Sequence, residues 1–450
     1  MQDKTISGFS KWSKEEKVKW LAEHFFADAE TYAEELSSFW HGNVDLQRIL
    51  DGFSENTISN YIIPYGIAPN FLINGQVYAV PMVIEESSVV AAASSAAKFW
   101  LTRGGFKAKV ISTKKLGQVH FTWGGPPEKL KKHFTQLEAE LRQEAAYLTA
   151  NMESRGGGVL DIELRDMTDL EPNYYQLMVS FETCDSMGAN FINSVLEEFA
   201  QTLENFLQKQ ADFTGAEKEV NVIMAILSNY TPECLVHIEV SCAIEDLKGA
   251  CLEMDGPTFA EKFATAIRIA HIDPYRATTH NKGIFNGVDA VVLATANDFR
   301  AVEACGHTYA AREGQYRSLS YCEIKNGVFR FWMDLPLALG TVGGLTTLHP
   351  LAKRSLELLG YPSAEELMMI IAATGLAQNF AAVRSLVTTG IQQGHMKMHL
   401  KNILNHLGAD ERESLQAEVY FTDKVVSFSS VREFVESLRN CNGQAVYATK

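Results

Sequence analysis

His280-Asn281-Lys282-Gly283-Ile284-Phe285-Asn286-Gly287-Val288-Asp289-Ala290-Val291-Val292-Leu293-Ala294-Thr295-Ala296-Asn297-Asp298-Phe299-Arg300 is the stretch on which the reading of the fold turns. Lys282 stands between Asn and Gly, which reads as a turn with close backbone approach. Val288–Thr295 is an almost unbroken apolar run, which fits a buried strand or a buried helix segment. A Lys and an Asp at opposite ends of a buried element are costly unless paired with each other or with a ligand. Two readings are open at this point, a structural Lys–Asp ion pair and a working site.

The rest of the chain narrows the choice. Its 450 residues exceed one ordinary core, so two or three domains are expected. It is 46% hydrophobic and 21% charged, the balance of a globular protein. A net charge of −15 argues against nucleic acid or an anionic membrane as a bulk partner. Any anionic ligand then needs a local cluster of cations or a helix N-terminus. Seven Cys with no CxxC pair read as reduced thiols of a cytoplasmic protein, not as a disulfide or zinc framework. The N-terminus is charged, without a signal-like segment, and no run approaches ~20 apolar residues, so no membrane span is expected.

Residues 12–39 read as one helix, capped by Ser13 with Glu15 and Glu16 in the first turn. Lys11, just before it, could reach an anion. Ile73-Asn74-Gly75 signals a hairpin turn leading into a strand towards Pro81. Glu85 and Glu86 then sit between an apolar run and a small-residue helix that Ser87 and Ser88 could cap. One of these Glu could also help cap that helix. Alternatively, a carboxyl against apolar walls would have a raised pKa and could donate a proton near neutral pH.

Residues 104–230 read as a separate unit. Strands are expected at about 107–112, 117–123, 159–164, 175–181 and 219–227, with helices at about 127–152 and 186–209. This is a split βαβ, ferredoxin-like arrangement rather than a Rossmann domain. Asp185-Ser186-Met187-Gly188-Ala189-Asn190 opens a helix directly after a strand, with Asp185 as a possible cap and Gly188 allowing close backbone approach. Free N–H groups there favour phosphates. Asp161, on a strand after Gly156-Gly157-Gly158, could accept from ribose hydroxyls and would repel a 2′-phosphate. Downstream, Arg276 and Thr279 could hold a carboxylate or phosphate. His395 and His399 are four apart, but no HExxH glutamate or third ligand accompanies them, so no metal is expected.

Several of these motifs occur together and in order: Glu55-Asn56 to Phe71, Pro81-Met82-Val83-Ile84-Glu85-Glu86 to Ser94, Asp185 to Asn190, Asp273 to Asn286, Asn297-Asp298, Gly375 to Asn379 and Gly394-His395-Met396. Over about residues 8–405 the chain resembles the 3-hydroxy-3-methylglutaryl-CoA (HMG-CoA) reductases of the soluble, bacterial second class. The resemblance implies an α+β fold in which a large mixed domain with a central helix is interrupted by a ferredoxin-like dinucleotide-binding domain and followed by a C-terminal helical flap. The implied boundaries are 1–106 and 229–378 for the large domain, 107–228 for the small one and 379–450 for the flap.

It also implies the chemistry, a two-step, four-electron reduction of HMG-CoA to mevalonate and CoA by NADH, with NADPH possible, or the reverse oxidation, in mevalonate and isoprenoid metabolism. Lys282 would stabilise the carbonyl oxyanion, Glu86 would be the acid, and Asp298 would hydrogen-bond both. His395 on the flap would protonate the leaving CoA thiolate. Ser88, Arg276, Thr279, Asn286, Gln378 and Lys11 would hold the substrate. Lys11 stands where the family often has Arg, which keeps the charge but loses the fork. Ser87 replaces a common Pro and should loosen the turn. Asp161, Asp185, Met187, Gly188, Asn190 and Asn229 would meet the cofactor. A homodimer or larger homo-oligomer is implied, with the site at the subunit interface. The rival readings are a non-catalytic CoA- or dinucleotide-binding protein and a purely structural ion-pair core.

Overall fold

The computed structural model describes residues 4–250, 254–388, 400–422 and 424–445. Three short helices open the chain, α1 (Lys14–Phe25), α2 (Ala29–Ser38) and α3 (Val44–Asp51). The single helix expected over 12–39 is two, because Asp28 accepts from the Thr31 N–H and starts a new one. A hairpin of β1 (Tyr65–Ile73) and β2 (Gln76–Val83) follows, turned at Asn74-Gly75, both with positive φ. Then come α4 (Val89–Leu101) and β3 (Lys107–Ser112).

The inserted unit comprises β4 (Lys115–Trp123), α5 (Pro127–Glu144), α6 (Ala146–Glu153), β5 (Gly158–Asp166), β6 (Tyr174–Glu182), α7 (Ala189–Lys209) and β7 (Val220–Ser228). Its antiparallel sheet runs β5-β6-β4-β7, the ferredoxin-like order. Phe121, Leu177, Val179 and Phe199 lie in its own closed core.

The chain then returns through β8 (Leu235–Ala243), α8 (Gly256–Ile272), α9 (Pro274–Ala294), α10 (Phe299–Ala310), β9 (Ser320–Lys325), β10 (Val328–Pro336), α11 (Leu345–Leu348), α12 (Pro350–Leu358) and α13 (Ala364–Val387). Two more helices, α14 (Glu411–Tyr420) and α15 (Phe428–Ala445), pack on helical residues 400–406 around Leu404, Phe421 and Val431.

Three further expectations differ from the structure. β3 pairs with β8 in the sheet β3-β8-β10-β9, with Val110 opposite Val236, so residues 107–112 lie outside the ferredoxin-like sheet. Alternation along a strand reveals a buried face but not which sheet buries it. Residues 379–387 continue α13 rather than beginning a separate unit, and Phe380 packs on Phe99, Trp100 and Phe263 in the main core. Lys282 is not at a turn. Asp273 caps the Tyr275 N–H, Pro274 takes the first helical position, and α9 runs unbroken through Gly283.

α9 and α13 form the centre of the fold. Glycines set their approach: a Cβ on Gly287 would lie 2.8 Å from the Thr374 carbonyl oxygen, and one on Gly375 would lie 2.7 Å from Val288 Cγ2. α13 is also the one described helix long and apolar enough to cross a membrane, and 83% of its apolar window is buried in this protein. Its polar interruptions hide that length from a search for an unbroken apolar run.

Candidate active site

Glu86 follows β2 and α9 carries Lys282, so two segments almost two hundred residues apart meet. Lys282 Nζ lies 2.6 Å from Glu86 Oε2, and Asn286 Nδ2 donates to the same oxygen at 3.3 Å. Lys282 and Asn286 are one helical turn apart on one face of α9. Ser88 stands at the start of α4 with φ of +74°, and its side chain makes no capping bond. The turn that presents Glu86 is therefore shaped by a left-handed residue, not by the expected Ser cap. Among the described residues of one chain, the apolar walls expected around Glu86 are also missing: its side chain is 40% exposed and that of Lys282 61%. Glu85 and Glu86 lie on a surface turn that no described element covers.

Below the pair lies an open cleft bordered by Glu86, Ser88, Arg276, Thr279, Asn286 and Gln378. Gly283 also faces it, and a Cβ there would meet nothing within 4 Å, which leaves room beside Lys282. Arg276 has no hydrogen-bond or ion-pair partner among the described residues, and burial lowers its pKa. A cation left in this condition suits an anionic ligand group. Gln378 Oε1 is buried and likewise without a partner.

Sequence reasoning missed the floor of the cleft. His280, 2% exposed, bonds Ser320 Oγ at 2.7 Å, and Ser320 Oγ donates to Asn379 Oδ1 at 2.7 Å. Burial pushes the His280 pKa down to about 3, so the ring is neutral. A lone His on an apolar helix carries no signal of this, because Ser320 and Asn379 come from distant elements.

The second half of the site is built around the turn between β6 and α7. Gly188 takes the N-cap position of α7 with φ of +88°, and no side chain caps that helix. Its N–H groups therefore lack side-chain acceptors. Asp185 does not cap α7 as expected. Its Oδ1 accepts from Ala364 N at 2.7 Å and its carbonyl from Thr341 N at 2.8 Å, which ties the turn to α13 and the 340–344 loop. Met187 and Asn229 border one small cavity beside α10, and Asn190 is exposed. Asp161 is exposed on the edge strand β5 and pairs opposite Ser180, so the register carries it to the end of the sheet that holds this turn.

Within one chain Asp298 does not meet the pair that the resemblance has it bond. It bonds neither Lys282 nor Glu86 but caps α10, accepting from Arg300 N at 3.0 Å and Ala301 N at 3.2 Å, and pairs with the Arg300 guanidinium at 3.1 Å. Partial burial pushes its pKa upward, yet the Arg300 side chain and these N–H groups hold it below the usual carboxylate value. Length sets this separation. From Lys282 to Ala294 alone α9 rises about 18 Å, so Asp298 lies at the other end of the helix, beside the α7 turn. There Asn297 Oδ1 accepts from Gly340 N at 2.8 Å, and Gly340 packs on Met187.

Lys11 is exposed on the short turn Phe9–Lys11 and does not border the cleft. His395 lies outside the described residues.

The chain matches the family model described as hydroxymethylglutaryl-coenzyme A reductase over residues 13–400. It is 37% identical over 438 residues to 3-hydroxy-3-methylglutaryl-coenzyme A reductase of Archaeoglobus fulgidus, covering 97% of this chain and 95% of that one. A probable 3-hydroxy-3-methylglutaryl-coenzyme A reductase of Borreliella burgdorferi is 33% identical over 361 residues, 79% of each chain. Among solved structures, the class II enzyme of Streptococcus pneumoniae, bound to NADPH in open conformations, superposes with a TM-score of 0.70 at 37% identity, over 90% of this chain and 98% of that chain.

Proposed function

This chain belongs to the hydroxymethylglutaryl-coenzyme A reductase family, and on that premise we propose that Lys282 and Glu86 carry the reduction of HMG-CoA to mevalonate. The observation that carries this reading is the 2.6 Å contact between their side chains at the mouth of the cleft. When a hydride reaches the thioester carbonyl, its oxygen becomes an oxyanion, and the Lys282 ammonium is a preorganised cation for it. Glu86, already hydrogen-bonded to that ammonium and to Asn286, is placed to pass a proton to the same oxygen. Arg276 clamps the substrate carboxylate, and Thr279, Ser88 and Gln378 complete its seat. The cofactor is a nicotinamide dinucleotide, seated on the α7 turn at Met187, Gly188 and Asn190, with Asn229 beside it. His395 protonates the departing CoA thiolate, and Lys11 contributes a distant charge for CoA.

Two identical chains make the site. In one chain the Lys282–Glu86 pair and the α7 turn lie at opposite ends of α9, too far apart for direct hydride transfer. Lys282, Asn286, Asp289 and Leu293 form a partly exposed strip along that helix, which Asn297 continues just past its end. A two-fold partner packed antiparallel on this strip brings its own Asp298 and α7 turn to the Lys282 end. It also supplies the wall that Glu86 lacks. The five described cysteines are unpaired thiols, which supports a reducing, cytoplasmic setting.

The test is stoichiometry. HMG-CoA should consume two reduced dinucleotides for each CoA thiol released, and binding without turnover would leave only a CoA- or dinucleotide-binding protein. The same assay addresses cofactor choice. The Asp161 carboxylate favours NADH, because a 2′-phosphate would meet its charge. The nearby Arg142 guanidinium, 3.1 Å from the Val159 carbonyl oxygen, is already paired with Glu138 at 2.9 Å. Asp161→Asn should therefore raise kcat/KM for NADPH relative to NADH by about tenfold. A wild-type preference for NADPH, left unchanged by this substitution, would remove Asp161 from the argument.

A further inference from the structure

Lys115, the first residue of β4, is 4% exposed, and no carboxylate lies within ion-pair distance of it among the described residues. Its ammonium instead donates to Thr183 Oγ1 and to the Ser186 carbonyl oxygen, the latter at 3.1 Å. Those two acceptors belong to one turn, which is closed by its own bonds. Thr183 Oγ1 donates to the Ser186 carbonyl oxygen at 2.7 Å, while Ser186 N and Oγ donate to the Thr183 carbonyl oxygen at 3.1 and 3.0 Å. Thr183 also sets the shape of Gly188: a Cβ on that glycine would lie 2.4 Å from Thr183 Cγ2. Lys115 therefore supports the chain from Thr183 to the uncapped start of α7.

A buried ammonium without a counter-ion is costly, and two neutral acceptors offset only part of that cost. Burial lowers the Lys115 pKa, and the acidic side chains of Glu182 and Asp185 pull it back up. Lys115 borders the same small cavity as Met187, Ala189 and Asn229, at the base of the α7 turn. It also stands where the chain first crosses into the ferredoxin-like sheet. Next to it the Lys114–Glu233 pair, 3.1 Å apart, joins the two crossing segments.

We propose that Lys115 is a positioning residue for the dinucleotide: its buried ammonium fixes the Thr183–Gly188 turn in the form that receives the cofactor's diphosphate and supplies positive charge beneath it. This rests on the α7 turn being the cofactor seat. The charge is then balanced by the ligand rather than by a protein carboxylate, which accounts for a lysine where a neutral residue would be easier to bury. The positive end of α7 and the ammonium act on the anion together.

The test is equilibrium binding of NADH and NADPH to the full-length protein, followed by nicotinamide fluorescence, beside steady-state kinetics. Lys115→Met should weaken both dinucleotides about tenfold or more and reduce the salt dependence of binding, because it removes a charged hydrogen-bonding group. The KM for HMG-CoA should stay within about twofold, since neither Lys115 nor the Thr183–Gly188 turn supplies a side chain to the lining of that cleft. A loss of packing alone would move thermal stability without this split. Should Lys115→Met fail to fold, Thr183→Val decides: it keeps the charge, removes the two bonds that Thr183 Oγ1 makes to Lys115 and to the Ser186 carbonyl oxygen, and should weaken dinucleotide binding about threefold. Unchanged dinucleotide affinity in whichever variant decides, or an equal rise in the KM for HMG-CoA, overturns the role of Lys115. Gly188→Val separates this from the reading beneath it. If Gly188→Val leaves dinucleotide binding intact, the α7 turn is not the cofactor seat and both readings fall. If it abolishes binding while Lys115 and Thr183 variants do not, only the inference about Lys115 falls.

Discussion

Lys282→Ala should lose about three orders of magnitude in kcat, the scale seen when one preorganised donor to an oxyanion is removed, and should melt close to the wild type. The two parts of this expectation have separate causes. Lys282 projects from α9 with 61% of its side chain exposed, and its bonded partner Glu86 is 40% exposed. An ion pair this open contributes little to folding, roughly 0–1 kcal/mol before the loss of side-chain freedom is counted. The catalytic contribution is of a different size, because it is exerted on a charge that exists only during reaction. Lys282→Arg keeps a cation but spreads it over a larger planar group, and Gly283 leaves the room that group would fill; it should recover only a small part of the rate. Thermal melts beside single-turnover hydride transfer measure both quantities. A large stability loss with substantial residual rate would return Lys282 to the structural ion-pair reading.

The exposure of this pair marks what a single sequence can and cannot convey. Residue types and their order along the chain were sufficient for the ferredoxin-like strand order and for the glycine at the start of α7, whereas Glu86 and Lys282 were joined in one site only by the family resemblance, which had Asp298 bridge them rather than a direct contact. Which chain's Asp298 could meet Lys282 was not legible: Val288–Thr295 separates the two residues by more than a side chain's reach whether it is read as a helix or as a strand, and periodicity says nothing of a second chain. Nor were Arg276 and His280 separable by type alone. Both lie on one face of α9, yet Arg276 has no hydrogen-bond or ion-pair partner among the described residues while His280 is bound to Ser320, at the start of β9. The edge between β3 and β4 was misplaced for a related reason. Two strands four or five residues apart read as neighbours in one sheet, whereas here they are the last strand of one sheet's segment and the first of another's. Each failure concerns which surface an element meets, which local periodicity does not record.

Mixing two inactive variants should restore activity. Lys282→Ala removes the oxyanion cation, and Asp298→Asn removes the carboxylate proposed to reach across the subunit interface, with an expected loss of about a hundredfold for an orienting acid–base partner. If each site takes Lys282 and Glu86 from one chain and Asp298 from its two-fold partner, a heterodimer of these variants has one site lacking both groups and one site intact. Random reassociation puts half of the chains into heterodimers, and half of their sites are native, so activity should recover to roughly a quarter of the wild type. Supplying Lys282, Glu86 and Asp298 from a single chain would instead give a mixture no more active than its parents, since every chain would carry one lesion. The Arg300–Asp298 contact sharpens the test. Asp298 now accepts two bonds from Arg300 at 3.1 Å and two from the start of α10, so it reaches a partner's lysine only if some of these bonds are exchanged. Arg300→Ala removes the competing cation while leaving the helix cap. It should strengthen the hold of Asp298 on the partner's Lys282, whereas a carboxylate whose only task is to cap α10 would leave the kinetics of the mixed dimers unaltered.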